Sequence, residues 1–106
     1  MAMNFFNNSI TTTASEANLF DVTANAHYAT YLFTNNMQNG DTVVVKWYVK
    51  DVEGATMRLF ESVTLENAQT LPSFFISFLQ ATQYKVTIQR LAGTDRAFNW
   101  LRVEVS

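Results

Sequence analysis

Few residues in this chain have the chemistry of a catalyst. His27 is the only histidine among 106 residues and cysteine is absent, which excludes a multi-histidine metal site, a zinc–thiolate site and a cysteine nucleophile. Asp21 and His27 flank a predicted turn at residues 23–26, and a carboxylate beside an imidazole is the one acid–base or weak metal-binding pair that the spacing allows. A lone histidine at a strand start is more often held by hydrogen bonds to its neighbours. The sequence therefore predicts no enzyme and no cofactor.

The nine carboxylates form no recognisable catalytic set. Most lie in predicted turns. Glu61 and Glu104 lie in predicted strands, but Arg58 and Arg102 are near them in the sequence. Surface ion pairs are therefore expected rather than a glycosidase carboxylate pair. Calcium-loop spacing, glycine-rich phosphate loops and hydrolase motifs are absent from the sequence.

Five aromatic residues offer a second kind of site, because small β-sandwich lectins hold sugar rings on exposed aromatic side chains. The candidates are Trp47, Tyr48, Trp100, Tyr28 and Tyr31. Trp47 alternates with valines, a pattern typical of a core residue. A carbohydrate-binding module that uses exposed aromatics is therefore the alternative hypothesis rather than the first.

The elements that must position these residues are strands. Thr42–Lys50 and Tyr84–Arg90 alternate between apolar and polar residues with a period of two, which predicts half-buried strands. β-Branched and aromatic composition predicts further strands at His27 to Thr34, Thr56 to Thr64, Ser73 to Leu79 and Ala97 to Val105, with an early pair at Asn18 to Thr23 and Ser9 to Thr13. Hairpin connections are predicted at residues 35–41, 52–55 and 92–95, and one helical turn at residues 64–71.

This pattern predicts an all-β fold, a seven- or eight-stranded antiparallel β-sandwich for which a jelly roll is a fitting topology. Residues 18–106 are expected to form a single β-sandwich domain. Residues 1–17 are expected to form an N-terminal arm with a first strand at its end. The length of 106 residues leaves no room for a second core.

Composition limits the partners. A net charge of −2 and a pI of about 5.2 argue against binding to the phosphate backbone of nucleic acid. No apolar run reaches the roughly 18 residues of a membrane span, and the first eight residues lack the basic and apolar regions of a secretion signal. A soluble protein is expected, with neither nucleic acid nor membrane as partner.

The predicted outer faces of the strands are more apolar than solvated faces should be. Aromatic residues make up 14% of the chain, and two phenylalanines precede the first predicted strand. We expect a partner to cover part of this surface. The residues predicted to lie at an interface are Phe5, Phe6, Val44, Tyr48, Phe60 and Phe75.

The segment Asn35–Val45, the strand Tyr84–Gln89 and the turn Gly93-Thr94 resemble small β-sandwich proteins encoded among viral structural genes. The resemblance covers roughly residues 18 to 105. It implies a virion or particle component of decoration, turret or minor capsid type, located in the virion or the host cytoplasm. Its partner would be itself, as a trimer by analogy, together with other particle proteins.

Overall fold

The computed structural model describes residues 3–50, 55–70 and 73–105. Within them lie eight strands: β1 (Met3–Thr11), β2 (Ala17–Val22), β3 (Ala26–Phe33), β4 (Thr42–Lys50), β5 (Arg58–Glu66), β6 (Ser73–Ala81), β7 (Gln83–Ala92) and β8 (Ala97–Val105). The first sheet has the order β1-β8-β3-β6 and the second has the order β2-β7-β4-β5. All pairings are antiparallel. This two-sheet arrangement is a jelly roll, which confirms the predicted fold.

Two strand predictions, Thr42–Lys50 and Ala97–Val105, coincide with β4 and β8. The region expected to be an arm is, from Met3 to Thr11, a full edge strand that pairs with β8 along its whole length. The helical turn predicted at residues 64–71 is wrong where the structure describes it, because β5 continues to Glu66 and Asn67 turns the chain with a φ of 66°. Residue 71 lies outside the described residues.

Two of the predicted hairpin connections are wrong. Residues 35–41 lead from β3 in the first sheet to β4 in the second, and residues 92–95 lead from β7 back to β8 in the first sheet. They are crossings between sheets, although their turn-forming composition resembles that of hairpins. The third, at residues 52–55, lies almost wholly outside the described residues; the strands on either side of it, β4 and β5, pair with each other.

The core lies between the sheets and consists of the inward side chains of both. Tyr28, Leu32 and Phe98 of the first sheet are fully or almost fully buried, as are Val45 and Tyr84 of the second. Burial of this apolar surface is the main stabilising contribution to the fold. A hydrogen bond of 2.8 Å between the Thr30 and Tyr84 hydroxyls crosses the core and joins the two sheets.

Asp41 ties together the two crossings named above. Its side chain accepts hydrogen bonds from the backbone N–H groups of Gln38 at 2.9 Å and Thr94 at 3.1 Å, and from Arg96 Nε at 2.9 Å. The hydrogen bond from Arg96, with the two amides next, lowers the pKa of Asp41 to about 2. The carboxylate is therefore ionised at neutral pH and holds two neighbouring loops in place.

In the described ranges, no helix has the length and apolar composition needed to cross a membrane.

Candidate functional site

The most unusual surface of the molecule is the outer face of the first sheet. Directly opposed residues of antiparallel strands point to the same side of a sheet, so the registers of β1, β3, β6 and β8 define which side chains share this face. We call it the apolar face. Its apolar members are Met3, Phe5, Ala29, Tyr31, Phe33, Phe75, Ala97, Leu101, Val103 and Val105.

Five side chains of the apolar face remain accessible to solvent in a single copy. Phe5 is 61% exposed, Met3 56%, Phe75 45%, Tyr31 37% and Phe33 36%. The Tyr31 and Phe75 rings are neighbours, with centroids 4.6 Å apart. Contiguous apolar patches of this kind on a soluble domain mark interaction sites.

The apolar face also lacks charge. Among the described residues of its four strands, none of those that point outward is Lys, Arg, Asp or Glu. Its polar members are short amides, hydroxyls and one histidine, among them Asn7, Ser9 and Asn99 on β1 and β8, and His27 and Gln80 on β3 and β6. Depletion of charged residues is the compositional mark of the buried part of protein interfaces.

A shallow groove of about 540 Å³ indents one end of the apolar face. It lies where the short side chain of Asn99 on β8 separates Phe33 of β3 from Asn7 and Ser9 of β1. The groove therefore combines an aromatic wall with amide and hydroxyl groups. A protruding apolar side chain of a partner would find both apolar contact and polar neighbours there.

The outer face of the second sheet is different, because it carries charges and is partly covered. Lys46, Lys85 and Asp21 point outward from β4, β7 and β2. The loop of residues 12–16 lies beside β7 and accepts hydrogen bonds from the backbone of Arg90 and the side chain of Gln89. Glu16 of this loop accepts hydrogen bonds from Thr87 Oγ1 at 2.5 Å and Tyr48 Oη at 2.6 Å. These two bonds lower the pKa of Glu16, so the loop is attached to the sheet by an ionised carboxylate.

The six residues predicted to lie at an interface are therefore dispersed. Phe5 and Phe75 lie on the apolar face. Phe6 points to the opposite side of β1, where the Arg102 guanidinium lies 4.4 Å from its ring centroid. Val44 is only 7% exposed within a single copy, so it offers little surface to a partner.

The other two predicted interface residues lie on the second sheet. Tyr48 is half-buried on its outer face, where Lys85 Nζ is 4.4 Å from the ring centroid. Phe60 is 59% exposed on β5. It lines a cleft of about 300 Å³ between β5 and β6, together with Trp47, Val63 and Leu79. Neither residue is part of the apolar face.

The acid–base candidates do not come together as a site. Asp21 accepts a hydrogen bond from Gln83 at 2.9 Å, whereas His27 lies on the other sheet and is exposed. Across the described part of the chain, no three His, Asp or Glu side chains are grouped to hold a metal ion. Glu104 does pair with Arg102, at 3.1 Å, but both side chains are largely buried rather than on the surface.

The proposed sugar platform is wrong for most of its members. Tyr28 is fully buried, Trp47 is 5% exposed and Trp100 is 7% exposed, so none of the three can present a ring face to a ligand in solution. Tyr48 is hydrogen-bonded to Glu16 on the second sheet and Tyr31 stands on the first. Tyr28, Trp47 and Trp100 are inward members of alternating strands and pack in the core, whereas Tyr48 and Tyr31 lie on the outer faces of different sheets, so the fold builds no common platform.

The sequence did not lead us to expect Met3, Phe33 and Leu101 at an interface, and it suggested Tyr31 only as a sugar-binding aromatic. The sequence did contain a signal for Tyr31 and Phe33. Strand β3 has large apolar residues on both of its faces, with Tyr28 and Leu32 inward and Tyr31 and Phe33 outward. A strand apolar on both faces has to be covered on both. Which outward residues adjoin one another depends on strand order, and β8 inserts between β1 and β3.

Comparison with known proteins finds similarity of fold only. No protein-family model and no curated protein sequence matches the chain. Among solved structures, a chain of the acidic stable capsid of Helicobacter pylori bacteriophage KHP30 aligns with a TM-score of 0.66 and 17% identity, over 100% of this chain and 89% of that one. A chain of the disulfide-linked pili known as Bacillus endospore appendages aligns with a TM-score of 0.59 and 16% identity, over 98% and 87%.

A chain of the Gx strain of infectious bursal disease virus aligns with a TM-score of 0.54 and 11% identity. The alignment covers 98% of this chain and 32% of the viral one, so this chain spans about a third of that protein's length. Identities this low establish a shared fold and leave function to be argued from the site. The resemblance to viral structural β-sandwich proteins seen in the sequence is confirmed as a likeness of fold.

Proposed function

We propose that the protein is a non-enzymatic structural subunit that assembles with other copies of itself, as a component of a virion or a comparable particle. The observation that carries this proposal is the uncharged apolar face, with five accessible apolar side chains on one sheet. An isolated domain gains nothing from such a surface and is exposed by it to aggregation. In an assembly the same surface is removed from water.

Three neighbours of similar fold are named for a capsid, for pili and for a virus. Their low identity transfers no residue and no stoichiometry to this chain. They support the proposal because double-sheet jelly rolls occur as viral capsid domains. The pairing of Asp21 with His27, which would have suggested catalysis, does not occur in the described structure.

The test is the solution mass, measured by size-exclusion chromatography with light scattering over a dilution series at physiological salt. At high concentration we expect a solution mass that is a whole multiple of 12.0 kDa. On dilution this mass is expected to fall as mass action requires. Electron microscopy of the concentrated sample then shows whether larger particles form. A monomer at every concentration up to the millimolar range would contradict the proposal.

A further inference from the structure

We infer that the apolar face packs against the same face of a second copy of this chain, around a two-fold axis. The inference rests on the proposed function and adds to it the surface used, the partner and the symmetry of the contact. It is argued from the charge of the face, its area and the nature of the other sheet surface.

The absence of charged residues on the apolar face favours an uncharged partner. The apolar face presents no Lys, Arg, Asp or Glu among its described strand residues, so a charged partner surface would be desolvated there without compensation. An uncharged, apolar partner avoids that loss. Within the described structure, the one sheet face of that character is the apolar face itself. With a net charge of only −2 per copy, long-range repulsion between copies is small.

The outer face of the second sheet cannot serve as the partner in this way. It carries Lys46, Lys85 and Asp21, and Glu16 holds the loop of residues 12–16 against it. A head-to-tail contact joins two different surfaces, as a cyclic trimer requires. A two-fold contact uses one surface twice, which fits a molecule with a single uncharged sheet face.

The area is sufficient for a stable contact. The five accessible side chains are Met3, Phe5, Tyr31, Phe33 and Phe75, each between 36% and 61% exposed. Since a large side chain of this type presents about 200 Å², they contribute about 500 Å² of apolar surface. The partly exposed Leu101 and Val105 and the surrounding amides and hydroxyls bring the total toward the roughly 800 Å² per partner of a standard interface.

The shape of the face suits sheet-on-sheet packing. Four strands about 4.8 Å apart span about 14 Å, and the seven residues from Met3 to Ser9 span about 20 Å along them. Two such faces pack about 10 Å apart. Under a two-fold axis the groove beside Phe33 and Asn99 occurs once on each copy, and each receives a side chain from the other. Leu101, on an inner strand of the sheet, lies close to its own counterpart.

The symmetry is tested by cross-linking introduced thiols with a short bismaleimide, because the chain contains no cysteine of its own and the roughly 10 Å between packed sheets is too far for a disulfide. Leu101→Cys places a thiol near the middle of the apolar face. Ser62→Cys places one on the exposed outer side of β5 in the second sheet and serves as the matched control. After treatment with this reagent we expect a covalent dimer for Leu101→Cys and monomer for Ser62→Cys. The absence of a Leu101→Cys dimer in a protein that assembles would overturn the two-fold arrangement.

The surface is tested by adding charge. Tyr31→Glu with Phe75→Glu puts two carboxylates on the apolar face, and we expect a dissociation constant raised on the order of 100-fold or more, since unpaired charges would be buried. Ser62→Glu with Thr64→Glu adds the same charge to exposed positions of the second sheet and is expected to leave the mass unchanged. Near-ultraviolet circular dichroism establishes that both variants are folded.

The outcomes separate this inference from the proposed function. If the wild-type protein is monomeric at every concentration, the proposed function fails. If it assembles and the Tyr31→Glu, Phe75→Glu variant assembles as tightly, the proposed function stands and the apolar face is not the contact. If that variant dissociates but Leu101→Cys does not cross-link, the face binds a different surface head to tail. Should the charged variant not fold, the cross-linking result alone decides.

Discussion

The hydrogen bond between Thr30 and Tyr84 joins the two sheets through the core, and its contribution to stability follows from the burial of both hydroxyls. Thr30 and Tyr84 are fully buried, and the two oxygens are 2.8 Å apart. Tyr84→Phe deletes one hydroxyl and leaves the other facing an apolar ring edge. Thr30→Val does the reverse, and the double variant removes both polar atoms.

Each single variant is expected to lower the free energy of unfolding by about 1 to 3 kcal/mol, because a buried polar group loses its partner. The double variant leaves no unpaired hydroxyl, so its loss is expected to be smaller than the sum of the two. The interaction energy between the sites is therefore expected to be about 1 to 2 kcal/mol. Each kcal/mol corresponds to about 4 °C in Tm for a domain of this size.

Urea unfolding followed by tryptophan fluorescence measures these values, since Trp47 and Trp100 are both largely buried in the folded state. All four proteins are compared at one protomer concentration, because association contributes to apparent stability. Equal slopes of free energy against urea would show that the unfolded states are comparable. If the losses of the two single variants sum to the loss of the double variant within about 0.5 kcal/mol, the hydroxyls do not interact across the core and the reasoning is refuted.

Two further predictions concern the loops held by Asp41. Its pKa is lowered to about 2 by the hydrogen bond from Arg96 and by two backbone amides, so its stabilising contribution is present above about pH 4, the unfolded value, and is lost as the pH falls toward 2. Asp41→Asn should flatten this part of the dependence of the urea midpoint on pH, and an unchanged profile would contradict the assignment. Gly93 (φ +86°) and Gly40 (φ +95°) form a matched pair: a Cβ at Gly93 would lie 2.7 Å from Asp41 Cα, whereas one at Gly40 meets nothing within 4 Å. Gly40→Ala is expected to lose about 1 to 2 kcal/mol from backbone strain and Gly93→Ala more in thermal unfolding; equal losses would show that the contact with Asp41 is unimportant.

Much of the fold could be predicted from local sequence, because the alternation in Thr42–Lys50 and Tyr84–Arg90 follows directly from burial of one strand face. Strand positions were accordingly close to those found. The connections were less predictable, since residues 35–41 have the composition of a hairpin whether the chain returns to its own sheet or crosses to the other. The composition of a loop indicates its backbone conformation but not which of the two sheets the next strand joins.

The candidate site was harder to predict for the same reason. Phe5 and Phe75 were both identified from their sequence context, yet nothing local indicates that they share a face with Tyr31. That relation depends on β8 pairing with β1 on one side and β3 on the other. Val44 shows the opposite error: its position on the outer face of β4 was predicted correctly, but it is only 7% exposed there.

The order of strands in the first sheet has a consequence for synthesis on the ribosome. β8, which spans Ala97–Val105, lies between β1 and β3, so β1 has no partner in its sheet until those residues have been translated. The complete apolar face consequently does not form until β8 has been translated, although β3 and β6, which pair with each other, precede it in the chain. Chains that have not yet reached β8 therefore cannot associate through the complete face, so this contact is delayed until the domain has folded.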